Sequence, residues 1–391
     1  MRTNSTKTLG LKFRRGITLT ELMVAALLSS LVLIGTYAVL RSGIESDNIT
    51  LGMSMAWERL DLARDMLATD ADAAAYSGTP NSTVDPWICP KPWNGTVYQG
   101  LMVRETDSAP TWAGTDNPNI FPDECIFQGA ALLDELAPDS ITGDTIDFQS
   151  DLALPINEDD YVAMFENRFL RITSPNGFSQ FAEVVAVDFE EHKVQLEFAP
   201  ARATDIGVCG ILGTGGQDHE VTIHTYFRYR IIEHPTEPNS TALVREEVYW
   251  PELEWGEEPE VIPGTQLIVA ENIVDLQCWA DGVSAGLTPL FTPDSNGGVV
   301  RSAYASTGSA VNLDPEVLTD IERARIFHFQ ITARTSREYD SVPHRPRGEL
   351  DNGAFDIMRT FDLDGDPSTA ALTQTIHHQV ALQNFIVRSL N

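Results

Sequence analysis

Apolar residues run almost unbroken near the amino terminus and are spaced out after it. From Ile17 to Leu40 (ITLTELMVAALLSSLVLIGTYAVL) the only charged side chain is Glu21, and the stretch is long enough to cross a bilayer as a helix. Past Arg41 the apolar positions Ile49, Met53, Leu60, Leu67, Ala71 and Ala74 recur at intervals of three, four or seven residues. That spacing puts one apolar stripe on an otherwise polar helix, and a stripe of this kind needs a packed layer to cover it. The pattern predicts a single helix from Ile17 to about Tyr76, membrane-spanning over 17–40 and amphipathic over 41–76. Residues 77–142 lose the period. They are rich in Pro, Gly, Asn and Asp, with Trp87, Trp93 and Trp112 interspersed, and predict an ordered, irregular insertion anchored by buried tryptophans.

Over 143–391 the pattern changes to strands and forms a β-rich head. Thr145–Gln149, Phe169–Thr173, Phe181–Phe189 and Lys193–Phe198 are short β-branched and aromatic runs, with Pro175-Asn176-Gly177 as a turn. Val221–Ile232 and Leu243–Trp250 form the next pair, and Asn272–Trp279, Arg325–Arg334 and His378–Arg388 complete the set. Between them, 282–313 predicts a long loop, and Asp314-Pro315-Glu316 opens a short helix with an N-cap, a proline and an acidic first turn. One long helix followed by strands is the α+β class with an antiparallel sheet.

Composition narrows what such a chain does. With 391 residues and 42% hydrophobic side chains it is large enough for a substantial core. The formal charge is −31, although Arg2, Lys7, Lys12, Arg14 and Arg15 all precede Ile17, so the remainder is more acidic still. Such a surface repels phosphate backbones, which argues against direct nucleic-acid binding, and attracts cations, calcium among them. Only four of the basic residues are lysines, a balance that suits a salty external medium.

Cys89, Cys125, Cys209 and Cys278 are even in number and contain no CxxC pair, so two disulfides in an oxidising compartment are the natural reading. Three pairings are open, and sequence order suggests Cys89–Cys125 with Cys209–Cys278.

A basic segment followed by an apolar run fits a secretory signal peptide or a plain signal anchor. A signal peptide has a shorter apolar region and a small-x-small site after it. Here only Thr36-Tyr37-Ala38 offers one, inside the run. An anchor explains the length and the basic flank but not Glu21, since a carboxylate in a membrane span costs about 2.5–3.5 kcal/mol near its centre and usually has a partner.

The stretch Gly16-Ile17-Thr18-Leu19-Thr20-Glu21 resembles the class III signal of type IV prepilins: a basic leader, a glycine, a hydrophobic first mature residue, and glutamate fifth in the mature chain. The resemblance implies a leader over 1–16, cleavage between Gly16 and Ile17 by prepilin peptidase, methylation of the new Ile17 amine, and a Glu21 carboxylate that neutralises the amine of a neighbouring subunit. The span lacks the helix-breaking proline usual in major pilins, which points to a minor subunit. Looser likenesses at Glu58–Asp65, Asp159–Val162, Leu243–Arg245, Ile273–Asp281, Ile321–Thr335 and the terminal ALQNFIVRSLN are similar to PilW-like minor pilins and to J-type pseudopilins of type II secretion. The fold implied is a long helix on an antiparallel head. The implied partners are other minor and major pilins, the inner-membrane assembly machinery, prepilin peptidase and a tip adhesin, with the head in the periplasm before assembly. A membrane-anchored adhesion module that never polymerises is the alternative from another class.

Candidate chemistry elsewhere is sparse. His219-Glu220-Val221-Thr222-Ile223-His224 misses the HExxH zinc motif by one residue, and on a strand its two histidines face apart. His377-His378 reads as surface. Asp362, Asp364 and Asp366 alternate around Gly365 like the first half of a calcium loop, and are candidate Ca²⁺ ligands. Pro367 and Thr373 stand where that loop needs glycine and glutamate, so a solvated acidic turn is the competing reading. There is no P-loop or dinucleotide fingerprint. The chain reads as a non-enzyme that requires no cofactor.

Overall fold

The computed structural model describes residues 18–76, 78–82, 85–89, 98–104, 109–131, 135–148, 154–155, 157–201, 211, 219–249, 258–282, 324–348 and 358–385. Gly16, Ile17, Trp93, Cys209 and the loop and short helix expected over 283–316 lie outside the described residues. The chain divides into two units, 1–51 and 52–391. Helix α1 (Leu19–Ala73) begins in the first and ends in the second.

In the second unit Ala56, Leu60, Ala63, Leu67 and Ala71 of α1 are fully buried. The predicted stripe is there at Leu60, Leu67 and Ala71, while Met53 is only half-buried. Alternating Ala with Leu keeps the helix close to the layer that covers it. α1 stops where Ala75 takes a left-handed conformation, φ 60°. Its amide donates to the Gln128 carbonyl at 2.9 Å, and Asn384 Nδ2 donates to the carbonyls of Asp72 and Ala74, which satisfies helix-end groups that have no intrahelical partner.

The strands are β1 (Leu101–Arg104), β2 (Glu124–Ala130), β3 (Ser140–Thr142), β4 (Thr145–Asp147), β5 (Phe169–Thr173), β6 (Ser179–Asp188), β7 (Lys193–Leu196), β8 (Glu220–Glu233) and β9 (Thr241–Tyr249). They continue with β10 (Glu260–Val261), β11 (Leu267–Glu271), β12 (Ile273–Gly282), β13 (Ala324–Arg334), β14 (Thr360–Phe361) and β15 (Ala371–Ala381). A second helix, α2 (Glu158–Phe165), lies between β4 and β5, its N-cap Asn157 accepting from the Asp160 amide.

An 11-stranded sheet runs β1-β2-β8-β5-β6-β7-β4-β3, with β9 also on β8 and β10 and β11 on β9. A 4-stranded sheet runs β12-β13-β15-β14. The hub is β8: it pairs with β5 over 220–224, with β2 over 224–229 and with β9 over 226–233. Every strand pair in the two sheets is antiparallel, so the α+β class with an antiparallel body stands.

Three expectations are corrected. Residues 77–142 are not an irregular insertion, because they supply β1, β2 and β3. β2 is buried over its whole interior, so it carries no alternation to read. Trp87 is 43% exposed and leans on Phe178, with centroids 5.5 Å apart, and is no buried anchor. The last strand spans Ala371–Ala381 and not 378–388.

One core cluster joins α1 from Ala56 onward to residues of both sheets, including Phe127, Tyr229, Leu243, Leu276, Phe327 and Phe329. Inside it Asp70 of α1 accepts from Tyr229 Oη at 2.6 Å and from Arg245 Nε at 2.5 Å, and the Arg245 guanidinium lies 3.8 Å over the Phe227 ring. Burial first, then the Asp70 charge, pushes the Tyr229 phenol far up. In the large sheet Arg228 and Glu246, both fully buried, face each other across β8 and β9 with Nη2 and Oε1 2.6 Å apart.

Cys125 of β2 and Cys278 of β12 form a disulfide between the two sheets, Cα to Cα 6.4 Å. That overturns the pairing Cys89–Cys125 with Cys209–Cys278. The cause is tertiary: the Asp123 amide donates to the Leu276 carbonyl at 2.7 Å and the Cys278 amide to Asp123 Oδ2 at 2.9 Å, bringing together residues 153 apart. Closing a loop of that length is worth about 5 kcal/mol in the chain-entropy model. Cys89 is also disulfide-bonded.

Two outcomes follow. Non-reducing peptide mapping yields one cross-linked peptide holding Cys125 and Cys278, and a Cys89–Cys125 peptide would contradict the fold. Asp70→Ala leaves Arg245 and Tyr229 without their shared acceptor and lowers unfolding stability by about 2–3 kcal/mol, with Asp70→Asn losing less; both are read by denaturant titration of the full chain in detergent.

Candidate functional site

The site that the sequence singles out is the start of α1. Thr18 precedes the first helical residue, and Thr18-Leu19-Thr20-Glu21 closes on itself. Glu21 Oε2 accepts from the Thr18 amide at 2.9 Å and from Thr18 Oγ1 at 3.1 Å, and the Glu21 amide donates to Thr18 Oγ1 at 3.3 Å. This is a capping box, in which the N-cap and the third helical residue satisfy each other's backbone donors. Glu21 thus has a local role that the sequence reading missed, although the T-x-x-E spacing signals it. The cap engages Oε2 and leaves Oε1 without a partner among the described residues.

Beyond the cap the helix is apolar and uncovered. It contains a stretch of mean hydropathy 2.2 with none of its side chains buried. Leu22, Leu27, Leu31 and Ile34 are all more than half exposed. Two of its hydroxyls are consumed internally, Ser30 Oγ donating to the Leu27 carbonyl and Thr36 Oγ1 to that of Val32, each at 2.8 Å. An apolar environment therefore meets no unsatisfied group at these positions. Gly35, the one intrinsic helix weakener in the span, has nothing within 4 Å of where a Cβ would stand. Gly16 and Ile17, the expected cleavage and methylation positions, lie outside the described residues.

The acidic turn is built around Asp362. Asp362 Oδ1 accepts from the amides of Asp364 and Gly365, and Asp364 Oδ1 from that of Asp366. Asp366 turns to the Ser368 amide and hydroxyl, and these contacts hold its carboxyl below the usual carboxylate range. The three aspartates do not converge. The carboxylates close enough to share one ion are Asp362, Asp364 and Glu338, and Glu338 comes from a segment that the local spacing does not reveal. A second such group, His234, Glu237 and Glu271, combines a turn with β11 and was equally hidden.

The histidines are structural neighbours of aromatic rings. His224 is fully buried, 5.7 Å from the Phe169 ring and 5.6 Å from Phe181. His219 lies before β8, its Nε2 2.9 Å from the Ile211 carbonyl. His377 is exposed and stacks with His328 and Trp279 at 5.4 and 5.3 Å. Burial first, then the like charges of His328 and His378, lowers its pKa.

Fold and site together define a chain with a long apolar N-terminal helix, compatible with a membrane anchor or a signal sequence, and a large antiparallel body closed by a disulfide. No protein-family model, curated protein or solved structure matches the chain.

Proposed function

We propose that the chain is a minor type IV pilin of the PilW-like kind, cleaved after Gly16, methylated on Ile17, held in the bacterial inner membrane by α1, and then built into a filament at or near its tip. Its work is to initiate assembly and to present a large head outside the cell. The observation that carries this reading is the single carboxylate, Glu21, in a helix segment whose apolar side chains are uncovered over 19–40. In a bundle of such helices the Glu21 carboxylate, whose Oε1 the cap does not use, takes the Ile17 amine of a neighbouring subunit and fixes axial register. The partners are other minor pilins, the major pilin, the inner-membrane assembly machinery and a tip adhesin. The disulfide between the sheets supports a head that folds outside the cytoplasm. A pseudopilin of type II secretion uses the same helix and the same pairing; the size of the body favours the pilus.

Because Glu21 also caps α1, its two roles need separate variants. Gln at this position keeps the capping box and removes the charge, whereas Ala removes both. Expressed in the native host, Glu21→Gln and Glu21→Ala both insert in the membrane and both fail to enter sheared filaments. Recovery of Glu21→Gln in filaments at the wild-type level would reduce Glu21 to a helix cap and remove the pairing mechanism.

A further inference from the structure

A cavity of about 340 Å³ opens in the body between the β8–β9 turn, the end of β14 and the Trp112 segment. That volume is within the range of small-molecule sites. Its wall carries three carboxylates: Glu233 and Glu237 are exposed at the turn, and Asp362 is buried. None of the three is paired with an arginine or lysine among the described residues, in contrast to Glu246, Asp275 and Asp70, which hold Arg228, Arg347 and Arg245. Their bonds are to neutral donors. Glu233 Oε1 accepts from Thr111 Oγ1 at 3.4 Å, and Asp362 Oδ1 accepts from amides of its own turn.

The wall has one guanidinium, Arg334, which is 1% exposed. Its Nη1 donates to the Thr335 carbonyl at 3.1 Å and its Nη2 to the Asn239 carbonyl at 2.5 Å, so its donors are committed to the backbone and none is offered to an anion. His234, also in the wall, spends Nδ1 on the amides of Thr236 and Glu237, the arrangement of a neutral ring. Three negative charges thus stand against one positive, and a cleft dominated by one sign concentrates the opposite ion. A bare metal ion does not fit this set, because Glu233, Glu237 and Asp362 do not come close enough together to share one. The rest of the wall includes two rings, Trp112 and Phe361. Aromatic faces receive both apolar chains and organic cations.

We propose that this cavity binds a small organic ammonium ion, its charge received by the carboxylates of Glu233, Glu237 and Asp362 and its carbon chain by Trp112 and Phe361. All of the lining residues belong to the body, so the ligand is independent of the pilin reading.

The test uses the full chain in detergent. Butylammonium, 1,4-diaminobutane and choline are screened by thermal shift at millimolar concentration and constant ionic strength, and the best is titrated calorimetrically beside its neutral hydroxyl or hydrocarbon counterpart. The expected result is saturable one-to-one binding of at least one of the three, with the neutral counterpart weaker by about tenfold or more. Glu237→Gln, an exposed and structurally mild change, weakens the ammonium ion and leaves the neutral counterpart unchanged. Absence of saturable binding by all three would overturn the proposal. So would a neutral counterpart that binds as tightly as the cation, which would make the cavity a plain apolar pocket. Equal displacement of the ammonium ion by sodium would also overturn it, since the carboxylates would then hold only a diffuse ion atmosphere.

Discussion

An α-helix satisfies its interior backbone groups without help, and this lets α1 change surroundings along its length without changing conformation. Over 19–40 it presents Leu, Val, Ala, Met and Ile, and the Ser30 and Thr36 hydroxyls return to the helix's own carbonyls. Over 56–71 it presents an Ala and Leu stripe to the core, with Arg64 paired to Asp61 and Asp65 on its outer side. The body is organised by that stripe. Residues of β1, β2, β8, β9, β11, β12, β13 and β15 all join the cluster that buries it. The two sheets are held to a common helix by packing, to each other by Cys125–Cys278, and to the helix end by Asn384 and by Asp70 with its two partners.

The acidic composition shapes the interior as well as the surface. A chain of net charge −31 places several of its arginines inside, each against a carboxylate: Arg228 with Glu246, Arg245 with Asp70, Arg168 with Glu247, Arg347 with Asp275. Such pairs add specificity of register more than net stability, because desolvation offsets most of their attraction. Glu246 and Arg228 are direct cross-strand partners, so a slip of one residue between β8 and β9 would bury two unpaired charges.

Much of the fold was legible where pattern and environment agree. β5 lies where Phe169–Thr173 alternates, and β8, β9 and β13 fall within two residues of their predicted bounds, because β-branched and aromatic runs bounded by turn residues have few other uses. β1 and β2 were hidden by the Pro, Gly and Trp residues around them, and by burial on both faces. α2 was announced only by Asn157 and the acids after it. The shift of β15 has a simple origin: ALTQTIHHQVA is polar enough to look like loop, and 380–388 is more apolar. At the site, Glu21 stood out for its charge, but its bond to Thr18 needed coordinates. The disulfide pairing and the Glu338 carboxylate depend on tertiary neighbours many residues away, which local spacing does not encode.

The central claim is that α1 begins, in the mature protein, at a processed amine. Mass spectrometry of the amino-terminal peptide from protein isolated out of its native membrane measures this directly. The account predicts a peptide that starts at N-methylated Ile17. A peptide that retains Met1, or one that starts beyond Ala38, would contradict it and leave Glu21 as a helix cap in an anchored or secreted protein.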